Sequence, residues 1–237
     1  MRIPYKRLLV AINICAVVFI TGCVDTDVNP LPPSIDYQSQ MKVVNLVQGA
    51  GTATLTLNGQ SLGTVDFGSE TPGSSAAFLT VPSGSKSVDA SFTTAANQNY
   101  RFAATTEYKM RVFLVGTSAA SNAFVQFQRY IWQTKDSQNG AALFPADTGW
   151  VAFFNGSPDA TISTVEVNGE DIHLNSIVTG SGSSYVKLPA GTHTFDVYYN
   201  DDADHITFDI DVASKGRYTA TIYDVAASIK NAVFVDD

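Results

Sequence analysis

Four blocks of this sequence occur twice, in the same order and at nearly constant separation. Val43-Val44-Asn45 returns 110 residues later as Phe153-Phe154-Asn155, and Leu55-Thr56-Leu57-Asn58-Gly59 returns at the same offset as Val165-Glu166-Val167-Asn168-Gly169. Phe78-Leu79-Thr80-Val81-Pro82-Ser83-Gly84 is matched 107 residues on by Tyr185-Val186-Lys187-Leu188-Pro189-Ala190-Gly191. Tyr108-Lys109-Met110-Arg111-Val112-Phe113 pairs with Tyr218-Thr219-Ala220-Thr221-Ile222-Tyr223, again at 110. A chain with such self-similarity builds one structural unit twice.

The blocks define the kind of unit. Leu55-Thr56-Leu57 and Val165-Glu166-Val167 alternate apolar and polar residues, which places the apolar side chains on one face of a half-buried strand. Asn58-Gly59 and Asn168-Gly169 are type I′ hairpin signals, because both central positions of that turn need positive φ. Pro82-Ser83-Gly84 and Pro189-Ala190-Gly191 end strands, since proline has no N–H for a ladder and glycine admits the turn. Seven or eight short strands per unit, with no helical period, predict two tandem antiparallel β-sandwiches of immunoglobulin-like layout. Their expected bounds are 41–133 and 149–237, joined by a linker at 134–148.

Ahead of the repeats the chain has another character. Arg2, Lys6 and Arg7 precede a 13-residue apolar stretch from Leu8 to Ile20. A cationic head and a short apolar core describe a secretory signal over 1–22. The stretch is too short to cross a bilayer, which takes about 20 apolar residues. Ile20-Thr21-Gly22-Cys23 resembles the bacterial lipobox, in which the cysteine is acylated and becomes the mature N-terminus. Residues 23–40, with Pro30, Pro32 and Pro33, read as the lipidated cysteine and an extended spacer. Val24, rather than Asp, follows the cysteine. By resemblance to the Gram-negative sorting rule, this implies the outer membrane.

Charge and cysteine count exclude several classes. The leader holds three of the 14 basic residues and none of the 22 acidic ones, so the mature chain carries 11 − 22 = −11. Such a surface repels phosphate backbones, which argues against nucleic acid and against charge-driven membrane binding. Attachment to the membrane is therefore expected through the lipid anchor alone. Of the two cysteines, Cys15 leaves with the leader and Cys23 is the acylated one. No disulfide or thiolate metal site is then expected in the folded part.

Asn155-Gly156-Ser157-Pro158-Asp159-Ala160, followed by Val165-Glu166-Val167-Asn168-Gly169 and by Leu188-Pro189-Ala190-Gly191-Thr192-His193, resembles a bacterial family of secreted tandem domains of unknown function. The first repeat departs from the pattern, with Leu46-Val47-Gln48-Gly49-Ala50 where the Ser-Pro-Asp turn stands in the second. The resemblance covers about 41–237 and implies envelope β-sandwiches, with no activity attached.

Candidate chemistry is sparse. His173, His193 and His205 have no metal-ligand spacing, and His193 is expected at an exposed strand position equivalent to Lys86. Gly180-Ser181-Gly182-Ser183-Ser184 lacks nucleophile-elbow spacing and reads as a flexible connection. Asn200, Asp201, Asp202 and Asp204 form the densest oxygen cluster, which suits Ca²⁺, although turn preference accounts for the same residues. Along Phe124–Trp132, alternation places Phe124, Gln126, Gln128, Tyr130 and Trp132 on one face, and Val125, Phe127, Arg129 and Ile131 on the other. If the second set faces the core, the first is an outward row of aromatics and amides able to meet a sugar or peptide. The competing reading has Tyr130 and Trp132 packing against Trp150 to fix the two domains together.

The resulting expectation is a non-enzymatic, lipid-anchored envelope protein. It would display two β-sandwiches for adhesion, assembly or scaffolding, with no catalytic residues and no cofactor beyond the Ca²⁺ candidate. A carbohydrate- or small-ligand-binding lipoprotein is the alternative, and the protein or glycan partner is unnamed by the sequence.

Overall fold

The computed structural model describes residues 37–130, 147–202 and 204–236, and the chain from Tyr37 onward forms one compact unit. Cys23, the 134–148 linker up to residue 146, Ile131 and Trp132 lie outside the described residues. The protein is all-β, as expected, with one short 3₁₀ turn, Ala226–Ser228, among the described residues.

The first repeat contributes nine strands. They are β1 (Gln38–Gln48), β2 (Ala53–Leu57), β3 (Gln60–Val65), β4 (Ser69–Thr71), β5 (Leu79–Pro82), β6 (Gly84–Phe92), β7 (Gln98–Ala104), β8 (Tyr108–Thr117) and β9 (Ser121–Tyr130). The second adds β10 (Thr148–Gly156), β11 (Ile162–Val167), β12 (Glu170–Asp171), β13 (Val186–Pro189), β14 (Gly191–Tyr199), β15 (Asp204–Val212), β16 (Arg217–Tyr223) and β17 (Lys230–Val235). β1 begins inside the segment read as spacer, because Gln38–Met41 pair with Leu79–Pro82 and Ser39 is fully buried.

Each repeat forms two sheets. In the first they are β4-β1-β8-β9, with β5 also on β1, and β3-β2-β6-β7. In the second they are β13-β10-β16-β17 and β12-β11-β14-β15. Pairing is antiparallel except that β1 runs parallel to β8 and β10 parallel to β16, a refinement the alternation pattern does not reveal. The two Asn-Gly hairpins form as expected, with φ of 48° and 83° at Asn58 and Gly59, and 53° and 81° at Asn168 and Gly169.

Burial fixes how the sheets stack. Met41, Val43, Val47, Met110, Val112 and Leu114 share a core with Leu55, Val88 and Tyr100 of the facing sheet. Val151, Phe153, Ala220 and Ile222 do the same with Val165, Phe195, Val197 and Ile210. The alternate residues of the same strands form a third core: Val44, Leu46, Phe113 and Val115 from the first repeat, and Phe154, Tyr223 and Phe234 from the second. The β1–β8 and β10–β16 sheets are thus buried on both faces and lie at the centre of a four-sheet stack. Phe113 stacks on Phe154 with ring centroids 3.8 Å apart and planes 12° off parallel. Gly156 is needed here, since a Cβ on it would collide with Leu46 Cδ1.

Candidate functional site

The junction between the repeats holds the most elaborate polar arrangement in the described residues. Lys42 on β1, Glu70 on β4, Arg111 on β8 and Asp236, just past β17, are all buried. Lys42 Nζ donates to Glu70 Oε1 at 2.9 Å and to the carbonyls of Gly73 and Ser74 at 3.0 and 3.3 Å. Arg111 Nε donates to Glu70 Oε2 at 2.9 Å, its Nη1 to Asp236 Oδ1, and its Nη2 to the Val235 carbonyl at 3.3 Å. The guanidinium also lies over the Phe234 ring, 4.9 Å from the centroid. Two cations meet two carboxylates, so the cluster is neutral. Its hydrogen bonds saturate groups that would otherwise be costly to bury.

Asp236 extends the network into the second repeat. Its Oδ1 accepts from Gln128 Nε2 at 2.7 Å, and its Oδ2 from Tyr185 Oη at 2.8 Å and Thr219 Oγ1 at 2.9 Å. Burial of the Tyr185 phenol, then the negative charge of Asp236, hold its pKa well above the ordinary 10.0, so it stays a neutral donor. Sequence comparison of the blocks passes over this site. At the offset of 110, Lys42 falls opposite Ala152 and Arg111 opposite Thr221, so the two cations belong to the first repeat alone. A signal was present nonetheless: each cation interrupts an otherwise apolar strand, Lys42 between Met41 and Val43 and Arg111 between Met110 and Val112.

The strand singled out as a ligand face is placed at this junction. Gln128 is buried on Asp236, Gln126 Oε1 accepts from Thr219 Oγ1 at 3.4 Å, and Phe124 packs with the shared core. Gly180 of the second repeat lies so close to the Phe124 ring that a Cβ would run into it. The outward row expected at Phe124, Gln126 and Gln128 is therefore closed to a ligand. Sheet-on-sheet packing of the repeats covers it. Tyr130 ends β9 opposite Tyr108, and Trp132 is outside the described residues. Phe127, expected in the core, is 48% exposed. The register still sets Phe127 opposite Met110, on the core-side face with Val125, but at the end of the sheet beside Tyr108, where its ring meets solvent. Gln128 is the extra residue of a bulge, since Lys109 pairs with Arg129 and Met110 with Phe127, so the alternation shifts only beyond it.

Other candidates resolve locally. His193 is buried rather than exposed, with Nε2 2.8 Å from the Pro189 carbonyl and Nδ1 3.1 Å from Asn168 Nδ2. The neutral tautomer with its proton on Nε2 satisfies both contacts. The equivalent Lys86 is buried too and donates to the Ser83 carbonyl at 3.4 Å. His173 is exposed beside Asp171, and His205 stacks on Tyr198. Residues 180–184 are held as a ladder and not loose. Gly180 N donates to the Asn155 carbonyl, Ser181 O accepts from Asn155 N, and Ser183 N donates to the Phe153 carbonyl. The Ser181 and Ser183 hydroxyls donate to backbone carbonyls of Val178 and Ser184.

Asn200, Asp201 and Asp202 have φ of 55°, 55° and 64°, a left-handed run that Asn and Asp tolerate best. Asp202 Oδ1 accepts from Ser163 Oγ at 2.6 Å, and Asn200 Nδ2 lies 3.5 Å from Asp204 Oδ2. These contacts cap the turn. Among the described residues, no three His, Cys, Asp or Glu side chains are grouped to hold a metal.

Beside the ionic cluster a cleft of about 430 Å³ opens over Phe78, with Lys42, Lys109, Ser74, Ser75 and Asp236 in its lining. The ammonium groups of Lys42 and Lys109 each lie 5.1 Å from the Phe78 centroid.

Residues 149–237, the second repeat, match the profile of DUF4397, a domain of unknown function. This fits the expectation of a bacterial domain of unknown function. No curated protein matches the chain. Among solved structures, one similarity is to a protein of Bacteroides ovatus ATCC 8483 described as a "putative cell adhesion protein". It is 8% identical, with 84% of this chain and 96% of that chain covered and a TM-score of 0.23. A likeness at that score is too distant to bear on function.

Proposed function

We propose that this is a non-enzymatic, lipid-anchored protein of the bacterial cell envelope. Acylated at Cys23 and held at the outer membrane, it displays a rigid double β-sandwich for adhesion, assembly or scaffolding. The observation that carries the reading is the fused junction. Two sandwiches on a flexible tether would move independently. Here a shared apolar core and a saturated ionic cluster commit them to one orientation, which is what a display scaffold requires. The polar groups of the described loops are spent on turns and caps, which fits a structural more than a chemical role.

The anchor is tested by Cys23→Ser. The variant is expected to take up no radiolabelled palmitate and to accumulate as precursor or soluble protein. Incorporation of label equal to that of the unaltered chain would sink the lipoprotein reading.

A second reading, small-ligand or glycan binding, is favoured by one observation: the cleft over Phe78 combines an aromatic face with flanking lysines and serines. Glycan-array binding that is lost in Phe78→Ala would establish it. An array without signal would leave the display reading standing.

A further inference from the structure

Among the described residues, large exposed apolar side chains are few and unevenly placed. Tyr37 is 58% exposed, Phe127 48% and Val235 41%, and all three sit at the end of the stack where β1, β8, β10 and β16 begin. Local contacts tie them together. The Tyr37 carbonyl accepts from Ser83 N, the Gln38 carbonyl accepts from Glu107 N, and the neighbouring Tyr108 holds the Phe127 ring edge-on at 5.2 Å. Val235 lines the Phe78 cleft with Lys109, the residue after Tyr108. The fourth such side chain, Val178, follows Ile177, whose partner Ile162 opens β11 at the other end.

Charge divides along the same axis. At the starting end Lys109, Lys187, Lys215 and Arg217 are balanced by Glu107, Asp147, Glu170, Asp171 and Asp211. At the far end Asp159, Asp201, Asp202 and Asp224 gather in loops against a single nearby lysine, Lys230. The chain enters at the starting end: Tyr37 follows Cys23 by 14 residues, a span of at most about 50 Å fully extended.

We infer that this starting end rests on the phospholipid surface that holds the acyl chains, with Tyr37, Phe127 and Val235 seated among the headgroups and the acidic end turned outward. The inference rests on the acylation of Cys23 proposed above. Ordered aromatics beside lysines suit the interfacial zone, where a ring finds apolar contact and an ammonium stays wet. The net negative charge of the chain weakens such a contact, and the tether offsets this. Confinement within tens of ångströms raises the local concentration to the millimolar range, so a weak surface affinity suffices. Repulsion of the aspartate-rich loops by anionic lipid favours the same orientation.

The test uses the full lipidated protein in phosphatidylethanolamine–phosphatidylglycerol vesicles. Phe127→Cys, and separately Ala119→Cys in the far hairpin, carry a fluorophore, with nitroxide lipid as quencher. Tyr37→Cys repeats the first measurement should Phe127→Cys fail to fold. Quenching at 127 and 37 but not at 119 is expected. Equal quenching at both ends, or none at 127 and 37 on floated vesicles, overturns the inference. A signal at 127 that rises with protein density without quenching marks a second copy as the occupant and also overturns it. Loss of both palmitate labelling and vesicle flotation identifies failure of the anchor itself, and the inference falls with it.

Discussion

Arg111 shows how much one side chain can carry. Its side chain is fully buried, and its three nitrogens bridge two carboxylates and a carbonyl contributed by both repeats. Removing one member of a buried pair leaves an uncompensated charge, which costs about 3–5 kcal/mol. Arg111→Ala is expected to lose stability in that range by denaturant titration. Arg111→Lys, which keeps the charge but not the fork, is expected to lose less. Equal, small losses in both would mean that the cluster contributes little. Tyr185 makes a pH-dependent contribution with a definite sign. Its folded pKa is raised above the unfolded value, so the stabilisation is full below about pH 10 and is lost as pH rises through the folded value. Tyr185→Phe is expected to cost about 1.5–3 kcal/mol near neutrality, the worth of a hydrogen bond to a charged acceptor. The gap to the parent is expected to narrow in alkaline melts. A constant gap across that range would refute the assignment.

At the scale of the element, legibility depended on whether a strand had one buried face or two. β2 alternates cleanly, and β11 does so from Val165 to Val167 after a register shift between Ile162 and Thr164, because one face meets water. Their Asn-Gly turns formed where the sequence placed them. β8 and β10 carry apolar runs at 112–115 and 150–154. β1 is buried almost throughout although Lys42 and Asn45 interrupt its apolar residues, so the sequence announces burial but not which residue faces which layer. β9 keeps its alternation as far as Gln128, where a bulge shifts it. Phe127 is exposed because it lies at the end of the sheet, and the cover over Phe124 and Gln126 comes from a sheet that starts almost 20 residues past the strand. The segment 180–184 carries little β-propensity. It pairs because the Asn155 and Phe153 backbone groups need partners, and buried amides seldom go without. Its counterpart in the first repeat is β4, where Gly68 N donates to the Asn45 carbonyl as Gly180 N does to that of Asn155.

For the molecule as a whole, the question is whether two repeats mean two independent folding units. Each sandwich owns a core, but the third core belongs to neither alone. The intact protein is therefore expected to melt in one cooperative transition. Fragments 41–133 and 149–237 are expected to melt below it if they fold, since each exposes the face around Phe113 or Phe154. Phe154→Ala is expected to destabilise the whole by about 3–5 kcal/mol. Two independent transitions in the intact chain, each matching its fragment, would show that the junction adds nothing.

Read alone, the chain specified what local chemistry specifies. Hairpin turns follow from Asn-Gly, strand ends from Pro-x-Gly, all-β character from alternation and β-branching, and two units from the repeated blocks. The tertiary structure alone decided which faces meet. Contacts between Arg111 and Asp236, or between Phe113 and Phe154, join residues far apart in sequence, and no local preference encodes them. The same row of aromatics and amides on β9 reads as a binding face or as a buried seam. Only the position of the second repeat distinguishes the two, because burial is a property of what packs against a strand and not of the strand itself.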